Sequence, residues 1–234
     1  MAKQKKNYAY REAHEFNKWR SLFQFIVCKI GYNAVLRLVY RMEVHGVENI
    51  PEGNDYIICP NHLSTIDPPM METFMPKNIA FMAKKELFDI PLIRWWIDWL
   101  GAFAVDRGNL APSTVKTVKQ IKKSKNWVFG IFPQGTRQEP GIIKNVGKGF
   151  AGLARMTKCN VLPIGIIGTN EKKWLPFSGK IIIRVGKVIP YSEDLDAVRL
   201  EWIKQIEELT GFKYIEEDKQ EELADGGLDK NEQE

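Results

Sequence analysis

Cysteine is scarce in this chain of 234 residues, and the few cysteines form no pattern. Cys28, Cys59 and Cys159 lie far apart, and their odd number argues against a disulfide framework. Their spacing also matches no pattern of metal ligands, so no metal site is expected. The sequence therefore predicts a protein that works in a reducing, cytosol-facing compartment.

The sequence predicts neither a cleavable signal peptide nor an uninterrupted apolar run long enough to span a bilayer. Residues 1–20 carry charges throughout and contain no small-residue cleavage site. A spanning helix needs roughly 20 apolar residues, whereas Lys29 and Arg37 interrupt the apolar stretch of residues 16–40. The spacing of the apolar side chains, with a break at residues 31–33, predicts two short helices joined by a bend.

We expect residues 1–41 to form a basic helical pair that associates with an anionic membrane surface. The segment holds nine Lys/Arg and two Glu, a net charge of +7. Trp19 and Tyr40 would lie at the level of the lipid headgroups. The basic side chains near lipid phosphates would be those of Lys18, Arg20, Lys29, Arg37 and Arg41. A helix pair that packs into the protein core is the alternative interpretation.

Negative charge is concentrated at the other end of the chain. Residues 214–234 hold nine Asp/Glu and two Lys, a net charge of −7, and this composition predicts a disordered tail. Residues 42–213 are long enough for one catalytic domain. No basic stripe or nucleic-acid-binding motif accompanies the basic N-terminal segment, so nucleic acid is not an expected partner.

The chain has no Gly-x-Ser-x-Gly nucleophile elbow, but His62 and Asp67 form a candidate catalytic pair. Both follow the apolar run of residues 56–59, which predicts a buried strand. An imidazole, whose unperturbed pKa is about 6.5, can take a proton from an alcohol, and an aspartate can fix its tautomer. The attacking hydroxyl would then belong to the substrate. Because five positions of a continuous helix turn through roughly 500°, the two side chains can meet only across a loop.

Asp67 also has a purely structural interpretation. It precedes Pro68 and Pro69, so it suits the N-cap of a helix in which Pro68 occupies the first position. His62 would then be an ordinary hydrogen-bonded loop residue.

Cationic and polar side chains follow three more runs that predict buried strands, at residues 79–83, 102–105 and 127–132. The side chains of interest after these runs are Lys84, Arg107, Gln134, Gly135, Thr136 and Arg137. Guanidinium forks bind phosphates well, and glycine lets the backbone approach a ligand closely. If the strand ends adjoin, they form an anion-binding site.

Residues 88–100 are unusually rich in indole, with Trp95, Trp96 and Trp99 among few charges. A helix of this composition suits a lipid interface, or the wall of a site that holds an acyl chain.

Four segments resemble, in order, the motifs of the glycerolipid acyltransferases of the 1-acylglycerol-3-phosphate acyltransferase type. They are Asn61-His62 through Asp67, Gly101 to Arg107, Phe132-Pro-Gln-Gly-Thr-Arg137, and Val161-Leu-Pro-Ile164. Together they extend over roughly residues 44–170, and their combination is far more specific than any one of them.

The resemblance implies that His62 and Asp67 are a catalytic dyad. It also implies that Arg107 and the loop of residues 135–137 bind the phosphate of the acceptor, with help from Lys84. The family usually has Glu where this chain has Gln134. An amide can still orient a neighbouring arginine or accept a hydrogen bond from the acceptor, although more weakly than a carboxylate.

The fold implied by the resemblance is α/β, with a central mixed, largely parallel sheet flanked by helices. A two-helix motif would precede it and seat the protein, as a peripheral or monotopic protein, on the cytoplasmic face of the cell membrane. The implied reaction transfers an acyl group from acyl-CoA or acyl carrier protein, as co-substrate, to lysophosphatidic acid, without a resident cofactor. Backbone N–H groups near Ser64 are candidate donors to the oxyanion.

Two other functions remain open at this point. In the first, the protein acylates a different acceptor, such as glycerol-3-phosphate or another lysophospholipid. In the second, it is an inactive membrane lipid-binding protein, which the loss of a carboxylate at Gln134 makes conceivable.

Overall fold

A computed structural model of the chain describes residues 8–105, 111–170 and 179–216. The strands in these ranges are β1 (Glu43–His45), β2 (Tyr56–Pro60), β3 (Asn78–Lys84), β4 (Phe103–Val105), β5 (Trp127–Gly130), β6 (Ile142–Ile143), β7 (Asn160–Ile167), β8 (Ile182–Val185) and β9 (Lys213–Tyr214).

Seven strands form one sheet in the order β1-β8-β7-β2-β5-β3-β4, and β6 pairs with β9 separately. Neighbours in the large sheet are parallel, except that β7 and β8 run antiparallel. The central strands β2 and β5 bury every residue. Strands covered on both faces read as continuous apolar runs, which is why the sequence located them. The expected α/β fold with a mixed, largely parallel sheet is confirmed.

The helices are α1 (Lys18–Gln24), α2 (Asn33–Tyr40), α3 (Asp67–Phe74), α4 (Pro91–Trp99), α5 (Pro112–Lys123), α6 (Gly149–Thr157) and α7 (Leu195–Thr210). Helices α3, α4 and α5 each have proline in the first turn, where a missing N–H costs nothing. Helices α5, α6 and α7 pack on β5, β2 and β7.

The predicted bend at residues 31–33 is wrong. A π-helical stretch, Phe25–Tyr32, joins α1 to α2, so that Lys18–Tyr40 is one continuous helix, called here the N-terminal helix. Gly31 lies inside it, because packing of the π-helical stretch against α3 outweighs the low helix propensity of glycine. By length and composition the N-terminal helix is able to cross a membrane, so the expectation of two helices too short to span is also wrong.

A buried hydrogen-bond network fixes the N-terminal helix to the sheet. The side-chain amide of Gln24 donates to Glu72 Oε1 at 2.7 Å and to the carbonyl oxygens of Ile79 and Leu100 at 2.9 Å. Burial raises the pKa of the Glu72 carboxyl well above its ordinary value, while the N–H of Ile79 bonded to it opposes that effect. The N-terminal helix is therefore tied to α3, the helix that begins at Asp67.

The outer face of the N-terminal helix is apolar and exposed. Its exposed large side chains are Trp19, Leu22, Phe25, Ile26, Ile30, Val35 and Leu38. Arg20, expected near lipid phosphates, instead donates to Asp98 at 3.2 Å and is largely covered. The reason is that Asp98 faces α1 from α4 and also accepts a hydrogen bond from the buried Arg11.

Helix α4 extends this apolar face. No residue of α4 is buried, and Leu92 is 79% exposed. The ring of Phe23 lies 5.4–5.7 Å from the rings of Trp95, Trp96 and Trp99, so the two helices meet through aromatic side chains. We call the exposed apolar side chains of the N-terminal helix and α4 together the apolar surface.

Ordered structure continues past residue 213. The N–H of Ile215 donates to the carbonyl oxygen of Ile143 at 2.9 Å, which extends the pairing of β9 with β6. The greater part of the acidic tail predicted at residues 214–234 lies outside the described residues, as do residues 1–7.

Candidate active site

Five strands run in one direction, so their carboxyl ends lie along the same edge of the sheet. His62 follows β2 at this edge, and the loop of residues 131–138 follows the neighbouring strand β5. Thr169 follows β7, the neighbour of β2 on its other side. The fold thus brings loops from distant parts of the sequence around His62, as parallel α/β sheets commonly do.

His62 and Asp67 are joined by a hydrogen bond of 2.8 Å between Nδ1 and Oδ2. A loop separates the two residues, as the spacing required, and α3 begins at Asp67. The N-cap of α3 is Ile66 and not Asp67, and no side chain caps the helix. The predicted N-cap position of Asp67 is therefore wrong, because its carboxylate turns back toward the loop that precedes it.

Four donors converge on the buried carboxylate of Asp67. Besides His62, the N–H groups of Leu63 and Ser64 donate to Oδ2 at 2.7 and 2.8 Å. The hydroxyl of Thr169 donates to Oδ1 at 2.7 Å. A carboxylate accepts only, so Nδ1 of His62 carries its proton and Nε2 holds the free lone pair of the neutral ring. This tautomer is the one a general base requires.

The same contacts decide whether the expected oxyanion donors are free. The N–H groups of Leu63 and Ser64 already donate to Asp67, so in this geometry they are not available to a reaction intermediate. The expected oxyanion donors near Ser64 are therefore occupied.

The imidazole of His62 is also held by an aromatic ring. Its centroid lies 4.0 Å from that of Phe132, with 22° between the planes, and Phe132 stacks in turn on Phe81. The side chain of His62 is 12% exposed. No described residue donates or accepts a hydrogen bond at its Nε2, so this nitrogen is available to a substrate hydroxyl.

Gln134 supports the backbone of His62. Its buried side-chain oxygen accepts a hydrogen bond from the N–H of His62 at 2.8 Å, while the N–H of Gln138 donates to the carbonyl oxygen of His62 at 2.8 Å. An amide oxygen serves as an acceptor in this contact, as a carboxylate oxygen would. The contact explains why glutamine is compatible with the local geometry at this position.

Gly135, Thr136 and Arg137 are exposed on the same loop. Gly135 has a φ of +69°, a conformation that side-chain-bearing residues rarely adopt. The Thr136 hydroxyl accepts a hydrogen bond from Gln138 at 3.2 Å. The loop that carries this hydroxyl and the Arg137 side chain is hydrogen-bonded to the His62 backbone through Gln134 and Gln138.

The other two expected cationic contributors are Lys84 and Arg107. Lys84 ends β3, which is separated from β2 by β5, and its exposed ammonium pairs with Glu86 at 3.5 Å. Arg107 lies outside the described residues.

Sequence reasoning missed Thr169 and Phe132 as neighbours of the dyad. Their signal was position alone, since Phe132 ends the predicted run of residues 127–132 and Thr169 follows the segment Val161-Leu-Pro-Ile164, and both segments belong to strands adjacent to β2. In the described part of the chain, no group of three His, Cys, Asp or Glu side chains is arranged to hold a metal ion.

A family model described as Acyltransferase matches residues 41–167, more than half of the chain. The 1-acyl-sn-glycerol-3-phosphate acyltransferase of Bacillus subtilis is 31% identical over 162 residues, which cover 68% of this chain and 79% of that protein. The protein of the same name from Streptococcus pneumoniae is 32% identical over 151 residues, covering 64% of this chain and 56% of its own length.

A solved structure agrees with these sequence matches. The crystal structure of the 1-acyl-sn-glycerophosphate (LPA) acyltransferase PlsC from Thermotoga maritima has a TM-score of 0.63 with this chain, at 27% identity, and the match covers 81% of each chain. The matched family region includes both members of the His62–Asp67 pair and the loop from Gln134 to Arg137. The chain belongs to the acyltransferase family.

Proposed function

We propose that the protein transfers a fatty acyl group from an acyl thioester to the free 2-hydroxyl of 1-acyl-glycerol-3-phosphate and so makes phosphatidic acid for phospholipid synthesis. The observation that carries this proposal is the 2.8 Å contact from His62 Nδ1 to the fully buried Asp67, at the edge of the sheet where the neighbouring loops gather. The acceptor is inferred from the relatives, which are named 1-acyl-sn-glycerol-3-phosphate acyltransferases.

In the proposed reaction, Nε2 of His62 takes the proton of the acceptor hydroxyl while its oxygen attacks the thioester carbonyl. A C–O bond forms, the C–S bond breaks, and the proton passes from the imidazolium to the departing thiolate. Asp67 holds the ring and stabilises the imidazolium. General-base catalysis of this kind contributes about 10² to 10⁴ in rate. Coenzyme A or acyl carrier protein leaves as the thiol, so the transfer requires no resident cofactor.

The phosphate of the acceptor would bind to Arg107 and to Gly135, Thr136 and Arg137, with Lys84 as a further cation. The exposure of the loop from 135 to 137, next to the His62 backbone, supports this assignment. Holding both reactants in place can lower the barrier more than the base does. This set of phosphate-binding residues, called here the phosphate clamp, is therefore as important to the proposal as the dyad.

The apolar surface would seat the protein in one leaflet at the cytoplasmic face of the membrane. The N-terminal helix lies along the globular part through Gln24, Cys28, Leu36 and Tyr40, which are buried, and does not project away from it. The exposed Lys18, Arg37 and Arg41 would meet anionic headgroups. A monotopic position brings the lysophospholipid to the site without requiring it to leave the membrane.

A crossed assay tests the reaction. Purified protein is supplied with acyl-CoA or acyl carrier protein thioesters and with 1-acyl-glycerol-3-phosphate, glycerol-3-phosphate or lysophosphatidylcholine, and products are identified by mass. We expect phosphatidic acid as the main product. Turnover only with another acceptor would reassign the substrate. Vesicle binding without any consumption of thioester would identify a lipid-binding protein.

A charge placed on the apolar surface is expected to weaken membrane binding. Leu92→Glu and Leu38→Glu, at side chains 79% and 75% exposed, should reduce binding to anionic vesicles about tenfold or more, since apolar burial is lost and a charge must be kept in water. Sedimentation with vesicles measures the bound fraction. Leu200→Glu, at an exposed leucine of α7, is the matched control. Equal binding of all three variants and the unmodified protein would exclude this surface.

A further inference from the structure

Among the residues that the structure describes, one donor to the carboxylate of Asp67 lies outside its own loop. The hydroxyl of Thr169, a side chain 1% exposed, donates to Oδ1 at 2.7 Å across 102 positions of sequence. The other three donors, from His62, Leu63 and Ser64, all bind Oδ2 and belong to the loop that Asp67 closes.

This difference matters for orientation. The contacts at Oδ2 come from residues of one loop, so the bond from Thr169 is the one that joins the carboxylate itself to the end of another strand. Thr169 lies two residues beyond the end of β7, a strand whose residues 160–164 pair with β2. Its contact fixes the plane of the carboxylate and thereby the direction in which Oδ2 meets the imidazole.

A second pair of residues joins the ends of β2 and β7. The buried side chain of Asn61 bonds both backbone groups of Ile166, donating to the carbonyl oxygen at 3.0 Å and accepting from the N–H at 2.6 Å. Asn61 precedes His62 and Asp67 follows it, and both are therefore bonded to the region where β7 ends. Asn61 bonds Ile166, and Asp67 bonds Thr169.

The backbone conformation at Gly168 places Thr169 next to Asp67. Gly168 has a φ of +89°, and a Cβ there would lie 2.3 Å from the carbonyl oxygen of Lys180. Only glycine fits such a close approach, and the turn it makes directs the next residue, Thr169, to the dyad.

We propose that Thr169 is a positioning residue of the acyltransferase, whose hydroxyl orients Asp67 and, through it, His62. This inference rests on the proposed function only for its effect on turnover. Removing the hydroxyl would leave the buried Oδ1 without its hydrogen-bond donor. The carboxylate would then turn, and its negative charge, which the hydroxyl partly offsets, would act more strongly on the imidazole.

Thr169→Val tests the role because it keeps the shape and removes the donor. We expect kcat to fall about 10- to 100-fold, with the KM of both substrates within about twofold of the unmodified enzyme. Thr169→Ser, which keeps a hydroxyl, should restore kcat. Thr157→Val removes a buried hydroxyl that bonds the carbonyl oxygen of Leu153 in α6 and should leave kcat unchanged.

A measurement without substrate separates this inference from the proposed function. The chain has three histidines, so the ring N–H proton of His62 that bonds Asp67 can be assigned by NMR through comparison with His62→Ala. We expect the chemical shift of this proton to change in Thr169→Val and to return in Thr169→Ser, whatever the acceptor proves to be. Loss of turnover in His62→Ala with an unchanged chemical shift and kcat in Thr169→Val would overturn the inference and leave the proposed function standing. Equal loss in the valine and serine variants would assign the effect to packing and would overturn it as well.

A double-mutant comparison adds a further criterion. If the hydroxyl acts through Asp67, Thr169→Val should cause no additional loss of kcat in an Asp67→Ala background. A full additional loss there would show that Thr169 acts independently of Asp67 and would also overturn the inference.

Discussion

His62→Ala is expected to lower kcat for thioester-dependent phosphatidic acid formation by about 10² to 10⁴-fold. The substitution removes Nε2, at which none of the residues that the structure describes makes a hydrogen bond, while the tautomer is fixed by Asp67 at Nδ1. The KM of the acceptor should change little, because the phosphate clamp is untouched. Steady-state kinetics with saturating thioester measure both constants.

His45→Ala is the matched control, because His45 is an exposed histidine of the edge strand β1 whose partner is Glu43. It should retain full turnover. Wild-type-like kcat in His62→Ala would rule out the general base and with it the mechanism.

Asp67→Asn separates charge from geometry in the same dyad. The amide oxygen can accept from His62, Leu63 and Ser64 while its NH₂ faces Thr169, whose hydroxyl can turn to accept. The hydrogen bonds would be kept and the charge lost, so a decrease in kcat reports the stabilisation of the imidazolium.

The second large effect is expected at the phosphate clamp. Arg137→Ala and Arg107→Ala should each weaken the apparent affinity for the lysophosphatidic acid acceptor, raising its KM about 10- to 100-fold, since hydrogen bonds to charged groups contribute about 1.5–3 kcal/mol. The KM of the acyl thioester should stay nearly constant. Kinetics with each substrate varied in turn make the distinction.

Arg155→Ala is a suitable control for charge, because Arg155 is a partly exposed arginine of α6 that pairs with Glu193 at 3.1 Å. Arg137→Lys keeps the charge and loses the fork, and the acceptor KM in this variant should lie between those of the alanine variant and the unmodified enzyme. An unchanged acceptor KM in both alanine variants would remove the phosphate clamp from the mechanism.

The structure gives Gln134 a different role from the one that the sequence suggested. From the sequence, glutamine in place of the glutamate usual in the resembling family suggested a weakened contact with Arg137 or with the acceptor. In the structure its oxygen accepts the N–H of His62, a contact that needs an acceptor and not a charge. The loss of the carboxylate is thus compatible with an intact dyad.

The sequence by itself located four strands of the large sheet, at residues 56–59, 79–83, 102–105 and 127–132, and the side chains that follow them. This was possible because a strand buried on both faces must be a continuous apolar run, and because catalytic groups stand where such runs end. His62 lies two residues beyond the end of β2 at Pro60, and Gln134 lies four residues beyond the end of β5 at Gly130.

Only the tertiary structure decided how those strand ends meet. The hydrogen bond between Thr169 and Asp67 and the bond between Gln134 and the His62 backbone join residues 102 and 72 positions apart, and no local pattern encodes such pairs. The same holds for the N-terminal helix. Local propensity at Gly31 predicted a bend, but packing on α3 and the buried network of Gln24 and Glu72 keep the helix continuous, since contacts formed on folding outweigh the weak preferences of single residues.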